Sequence, residues 1–265
     1  MRASTVPDRY APPAFSPAPA VAEPAPRPFC PVPTMPSEAP PPVWKPVAGR
    51  VVILDAGHGG HDDGAAHHGL REKDVNLDVV LRTAAWLRAQ GVTVRMTRDR
   101  DVFVPLPERS KMANRNPNAL FVSIHSNAAA GGPNPFGVET FVLTSSFSDE
   151  ERCRTALSRY NVPGNSREES RKTLRELTIR CRAQGPELAT SIQRSLVRRL
   201  GEPDRGVKRA DLAVLRETFF CPAVLVEIGF MSHPPTARKM VTPAWRDQAA
   251  AAIGEGIVDY MRRIG

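Results

Sequence analysis

Residues 50–60, RVVILDAGHGG, decide how this chain folds. Val51 to Leu54 form an unbroken apolar run that reads as a buried β-strand, and it ends at Asp55 in a glycine-rich turn where the chain must reverse tightly. The next stretch, REKDVNLDVVLRTAAWLRAQG (71–91), places Leu77, Val80, Ala84 and Leu87 at helical spacing, with Gly91 as its stop. VTVRMTR (92–98) alternates as a second strand, PLPERSKMANRN (105–116) reads as a short helix, NALFVSIHS (118–126) as a third strand and FGVETFVLT (136–144) as a fourth. Strand, helix, strand, helix, strand predicts an α/β domain with a largely parallel sheet.

Farther along, Ser148-x-x-Glu151 and Ser166-x-x-Glu169 look like capping boxes and predict two helices between Ser148 and Gln184, a helical insertion at about 145–185. A helix over 186–200 follows, with Leu188, Ile192 and Leu196 on one face. Short strands are expected at LAVL (212–215) and AVLVEIGF (223–230). A closing helix begins at Thr242 and Pro243 and turns Ala249, Ile253, Ile257 and Tyr260 to the core.

Composition divides the chain in two. Fifteen of its 27 prolines precede Ala48, in a stretch without hydrophobic period. Residues 1–48 therefore read as a disordered, Pro-rich linker and 49–265 as one folded domain. A formal charge of +8 predicts a surface that attracts anions, yet only 6% of residues are aromatic and the basic residues are scattered. A stacking platform for nucleic acid is not expected. No apolar run is long enough for a membrane span, and prolines interrupt every candidate signal-peptide core after Met1 and Arg2. Four widely spaced cysteines match neither a zinc knuckle nor a disulfide scaffold; a Cys153–Cys181 pair and free buried thiols both remain open.

Three residues carry the chemistry. His58 lies in the turn after the first strand, Glu72 at the start of the next helix and His125 at the end of the third strand. All three fall at the carboxyl edge of a parallel sheet, where sites of such folds form. Two imidazoles and a carboxylate are the ligand set of a catalytic zinc with an open fourth position. Singly each has an ordinary reading: a turn residue, a helix-dipole partner, a satisfied polar group. His61, His67 and His68 compete as ligands, and spacing does not remove them. A fourth residue, the acid Glu227, sits in the apolar run AVLVEIGF, where an ionised carboxylate is costly without a partner; it suits a general base and acid beside the metal. No serine lies in a G-x-S-x-G turn, and no cysteine has a suitable histidine motif.

LDAGHGGHDDGA (54–65), GLREKDVNLDVV (69–80), TRDRDVFVPLPERSKMAN (97–114), FVSIHSNA (121–128), GVETFVL (137–143) and PAVLVEIGFMSHP (222–234) occur in one order. That series resembles the zinc-dependent N-acetylmuramoyl-L-alanine amidases with the type 3 catalytic domain. The resemblance covers nearly all of 50–264 and departs from the family at Ala56, where proline is usual, and at His61. It implies a six-stranded sheet flanked by helices, one Zn2+ held by His58, Glu72 and His125, Glu227 as the catalytic glutamate, and Asn127 and Arg109 as substrate contacts. Arg98, Arg109 and Asn114 also match family positions, where they could simply tie loops together. It further implies hydrolysis of the amide between N-acetylmuramic acid and L-alanine in peptidoglycan, by a monomer in the cell envelope, periplasmic or secreted. In some relatives an inserted helix covers the zinc and an activator protein displaces it, so residues 148–184 are expected to form such a flap. The rival readings are a zinc peptidase acting on stem peptides and a catalytically silent wall-binding module.

Overall fold

The computed structural model describes residues 51–264 except 118, 130–134, 145–147 and 161–165. The Pro-rich arm expected over 1–48 lies outside the described residues. In chain order the elements are β1 (Val51–Ala56), β2 (Ala66–His67), β3 (Leu70–Arg71), α1 (Glu72–Ala89), β4 (Thr93–Met96), α2 (Leu106–Asn114), β5 (Leu120–Asn127) and β6 (Val138–Leu143). They continue with α3 (Asp149–Arg159), α4 (Arg167–Leu200), β7 (Asp204–Ala210), α5 (Ala213–Arg216), β8 (Ala223–Phe230), α6 (Pro234–Met240) and α7 (Pro243–Ile264).

Six strands form one sheet in the order β4-β1-β5-β8-β6-β7, and β2 and β3 form a separate small hairpin. β4, β1, β5 and β8 run parallel, β6 is antiparallel to β8, and β7 is parallel to β6. The mostly parallel α/β sheet expected from the sequence is therefore present, with its last two strands reversed. Alternation of side chains splits the core. Val52, Leu54 and Ala56 of β1, Leu120, Val122 and Ile124 of β5, and Val224, Val226 and Ile228 of β8 face α1, α4 and α7. Ile53, Phe121 and Leu225 face α2 and α5. Both faces are covered, which is why these strands read as continuous apolar runs.

Two expectations need correction. LAVL is a single turn of helix, α5, with Val214 and Leu215 both buried; a four-residue apolar run does not distinguish strand from helix. The helices expected on either side of Gly185-Pro186 are one, α4, with Pro186 inside it. Leu174, Thr178, Cys181, Gly185, Leu188, Ile192 and Leu196 form one buried stripe along it, so packing on both sides of the proline outweighs the lost backbone hydrogen bond. The Cys153, Cys181 and Cys221 thiols are buried, and among the described residues no disulfide joins them.

The insertion is placed where sequence did not expect it. α3 and the first half of α4 pack on Phe219 and Phe220, just before β8 begins, through Cys153, Ala156 and Leu174. Arg152 donates to the carbonyls of Arg216 (2.8 Å) and Thr218 (3.0 Å), and Asn114, at the end of α2, donates to the Tyr160 hydroxyl (2.9 Å). These anchors lie at the amino ends of β5 and β8, the edge opposite the turn that carries His58. The described insertion is thus not a flap over that turn. Its capping box at Ser148 is formed, and Ser166 accepts from the Glu169 amide.

α7 packs between α1 and α4 with almost no clearance. A Cβ on Gly256 would stand 2.5 Å from Ile192 Cα. We expect Gly256→Ala to push the two helices apart and cost about 1–3 kcal/mol, read as a lower urea midpoint with unchanged m-value; a midpoint equal to that of wild type would show that the helices are not seated this closely.

Candidate metal centre

Three elements deliver the site. The turn after β1 carries His58, α1 opens with Glu72, and β5 brings His125 to its carboxyl end. His58 Nε2 lies 3.1 Å from Glu72 Oε2, and His125 Nδ1 lies 2.9 Å from Glu72 Oε1. One ligand atom from each of the three falls within 4.8 Å of the others, and no other such group occurs among the described residues. Ligands on one tetrahedral ion at about 2.0–2.1 Å stand ~3.3 Å apart, a few tenths of an ångström beyond the two carboxylate–imidazole separations. The donors therefore fit a single divalent ion.

The surrounding backbone is shaped to this group. A Cβ on Gly57 would stand 2.3 Å from the His125 ring, and one on Gly64 would stand 2.6 Å from both Glu72 Oε2 and His58 Cδ2. Glu72 also accepts from the amides of Ala65 (3.0 Å) and Ser126 (3.2 Å) and from Asn76 Nδ2 (3.2 Å). Burial alone would raise its pKa, but hydrogen bonds from His125 and His58 outweigh that and hold the carboxylate far below its usual range. Burial would lower His58, but Glu72 and Asp62 together raise it. Asp62 Oδ2 sits 2.9 Å from His58 Nδ1, leaving Nε2 to face Glu72. The competing histidines stay outside: His61 packs on Phe103, His67 lies in the small hairpin, and His68 Nε2 lies 3.4 Å from the Ser232 carbonyl.

Glu227 on β8 is the register partner of His125 on β5 and shares its sheet face. Among the described residues its buried Oε2 has no hydrogen-bond partner. Burial first, then repulsion from Glu72 and Glu139, pushes this carboxyl well above its usual range.

A family model described as N-acetylmuramoyl-L-alanine amidase matches residues 52–259. The chain belongs to that amidase family. It is similar to the amidase LytC of Bacillus subtilis (strain 168), with 34% identity over 217 residues, and the match covers 82% of this chain but 36% of LytC. Among solved structures it is similar to an N-acetylmuramoyl-L-alanine amidase from Clostridium difficile 630, at TM-score 0.63 and 27% identity, covering 82% of this chain and 98% of that one. It is also similar to the CwlD amidase of Clostridioides difficile, whose structure holds the GerS lipoprotein, at TM-score 0.62 and 25% identity, covering 81% and 100%. Among the described residues, no helix of this amidase-family chain is long and apolar enough to cross a membrane.

The two residues expected to touch substrate both have protein partners. Arg109 is buried under the turn, where it donates to Asp55 Oδ1 (2.8 Å) and to the carbonyls of Ala56, His58 (2.8 Å) and Val104 (2.8 Å). It holds the backbone of His58 from below. Asn127 donates to Glu139 Oε1 (2.9 Å) beside Glu227. Arg98 ties the same turn as Arg109, donating to Ala56 and Gly57 carbonyls at 2.9 Å and to Lys73 at 2.8 Å. Asn114 ties loops at the opposite edge, accepting from the Phe219 amide (2.7 Å). Sequence reading missed Asp62 and Glu139; Asp62 had a signal in its i,i+4 spacing from His58, Glu139 none.

Asp55 anchors this arrangement. Burial would raise its carboxyl, but the Arg109 guanidinium, with Thr97 and Ser123 hydroxyls, outweighs it and lowers the pKa. A depressed folded pKa means stability that is complete above the unfolded value near pH 4 and lost as pH falls through the folded one. Asp55→Asn, which leaves Arg109 unpaired, should cost about 3–5 kcal/mol at neutral pH. In urea titrations from pH 6 to 3 the gap between the two proteins should narrow towards the acid end; a gap constant with pH would exclude the pair as its source.

Proposed function

We propose that this chain hydrolyses the amide bond between N-acetylmuramic acid and L-alanine in peptidoglycan, with one Zn2+ held by His58, Glu72 and His125 and with Glu227 as acid–base group. The observation that carries the reading is the convergence of two imidazoles on one buried carboxylate, beside an acid whose Oε2 has no partner. Three protein donors leave a coordination position free, the arrangement of a catalytic rather than a structural site.

Zinc, when bound, supplies Lewis acidity towards an amide carbonyl and lowers the pKa of water to about 7. The residues of the chain do the rest. Asp62 fixes the His58 ring so that Nε2 points into the site. Glu227 takes a proton from the attacking water and delivers it to the alanine nitrogen as the C–N bond breaks, leaving a lactyl carboxylate on the sugar and a free amine on the peptide.

In this reading residues 49–265 are the catalytic domain and 1–48 a linker, and the place of action is the cell envelope, periplasmic or secreted, where the polymer lies. A protein partner acting on α3 and the exposed first turns of α4 belongs to the same proposal; that the similar CwlD amidase forms a complex with the GerS lipoprotein supports the existence of a partner, and the exposed insertion gives the place. Such a partner would engage the edge opposite the metal centre.

On a peptidoglycan zymogram, Glu227→Gln should lose at least a hundred-fold in lysis while keeping one zinc per chain, and a chelator should abolish wild-type lysis; equal lysis by both proteins would remove Glu227 from the mechanism. Mass spectrometry of the products should show free lactyl carboxylate, whereas cleavage within the stem peptide would favour the peptidase reading. Asp62→Ala should weaken zinc about 10- to 100-fold in competition with a chromogenic chelator, and unchanged affinity would make Asp62 a turn residue only.

A further inference from the structure

β6 and β7 carry a second buried carboxylate that the hydrolytic reading does not use. Glu139 is the register partner of Glu227 across the β6–β8 pair, and 3% of its surface is exposed. Its Oε1 accepts from Asn127; its Oε2 accepts from Arg205 Nε at 2.7 Å and from Lys208 Nζ. One anion is thus bracketed by two cations, each about a third exposed.

The geometry of Arg205 is that of a receptor. Only Nε is spent on Glu139, so among the described residues both terminal nitrogens lack a protein partner. The guanidinium lies over the Phe230 ring, 4.9 Å from its centroid, and Lys208 Nζ lies 5.9 Å from the centroid of Phe141. Gripped at one edge and stacked on one face, the fork is fixed in advance, and a guanidinium so held binds a carboxylate through two parallel hydrogen bonds at little further ordering cost. Phe230 and Asn127 are paired across β8 and β5, next to His125 and Glu227, so the fork stands beside the reacting centre.

We propose that Arg205, positioned by Glu139 and assisted by Lys208, is a specificity-determining subsite that binds a free carboxylate on the leaving peptide of the substrate. The proposal rests on the amidase reading above. It makes the chain selective for acidic stem peptides over peptides in which that carboxylate is amidated.

The test uses two soluble N-acetylmuramoyl dipeptides identical except that the residue after L-alanine carries an α-carboxylate in one and a carboxamide in the other. Zinc-loaded wild type should favour the acid at least ten-fold in kcat/KM, chiefly through KM. Arg205→Gln should bring the ratio to within two-fold of one, and Arg205→Lys should restore it only in part, because an ammonium lacks the fork. Glu139→Gln should lower the ratio without touching substrate. Calorimetric binding of both dipeptides to zinc-loaded Glu227→Gln reads the same preference independently of turnover. Failure of wild type to cleave either compound would count against the amidase reading alone, with the binding ratio still judging the subsite. Equal binding of acid and amide, or a ratio in Arg205→Gln equal to that of wild type, would overturn the proposal.

Discussion

One guanidinium, that of Arg109, holds the turn on which the metal centre depends. It lies under the β1 turn with its partners Asp55 and the carbonyls of Ala56 and His58. Those carbonyls point inward because the chain reverses within a few residues, and without an internal donor each would be a buried, unsatisfied acceptor. His58 itself has φ 61°, a left-handed conformation that a residue with a Cβ adopts at a cost of order 1 kcal/mol. Arg109 from below, Arg98 from the side and Asp62 on the ring keep it there. The strained turn exists because it aims an imidazole at Glu72, and the two buried arginines make it tolerable.

Three carboxylates gather at this edge of the sheet, and their surroundings set them apart. Glu72 is surrounded by donors, two of them the imidazoles, and stays ionised. Glu139 is neutralised by Arg205 and Lys208. Glu227 lies between the other two with an oxygen that no group satisfies, and both neighbours repel its charge. Groups of one chemical type in such different environments suit different tasks, and the proposed function assigns them so: Glu72 to hold an ion, Glu139 to orient cations, Glu227 to carry a proton. An oxygen left unsatisfied in an apolar strand costs stability.

What was legible in the sequence follows from periodicity and local spacing. β1, β5 and β8 could be read because burial on both faces writes an unbroken apolar run, and α1 and α7 because one buried stripe repeats at helical spacing. His58, Glu72 and His125 stood out because glycine turns and strand ends mark the carboxyl edge of a parallel sheet. β7 could not be read: DRGVKRA is an edge strand with charged residues throughout, a composition that discourages pairing with other chains and erases the strand signal. Arg109 stayed open between a substrate contact and a tie between loops because a buried arginine and a ligand-binding one look alike in sequence; its hydrogen-bond partners favour the tie. The placement of the insertion depended on Phe219 and Phe220, more than fifty residues from α3, and no local pattern encodes such a contact.

α4 joins the features that sequence kept separate. A helix of 34 residues spans about 50 Å, so its first half lies with the insertion at one edge while its second half reaches the strands that carry Glu139 and Arg205. There Gln193 accepts from Thr140 (2.8 Å) on β6 and donates to the Val138 carbonyl (2.9 Å) and to Asp204 Oδ1 (2.6 Å). A break at Pro186 would have uncoupled these halves. The buried stripe running through the proline keeps the helix whole, so β6 and β7 are registered against the same rod on which the insertion is built. The spacing between Glu139 and Arg205, two strands that are bulged at this point, is therefore set by packing along α4 as well as by the ladder between them.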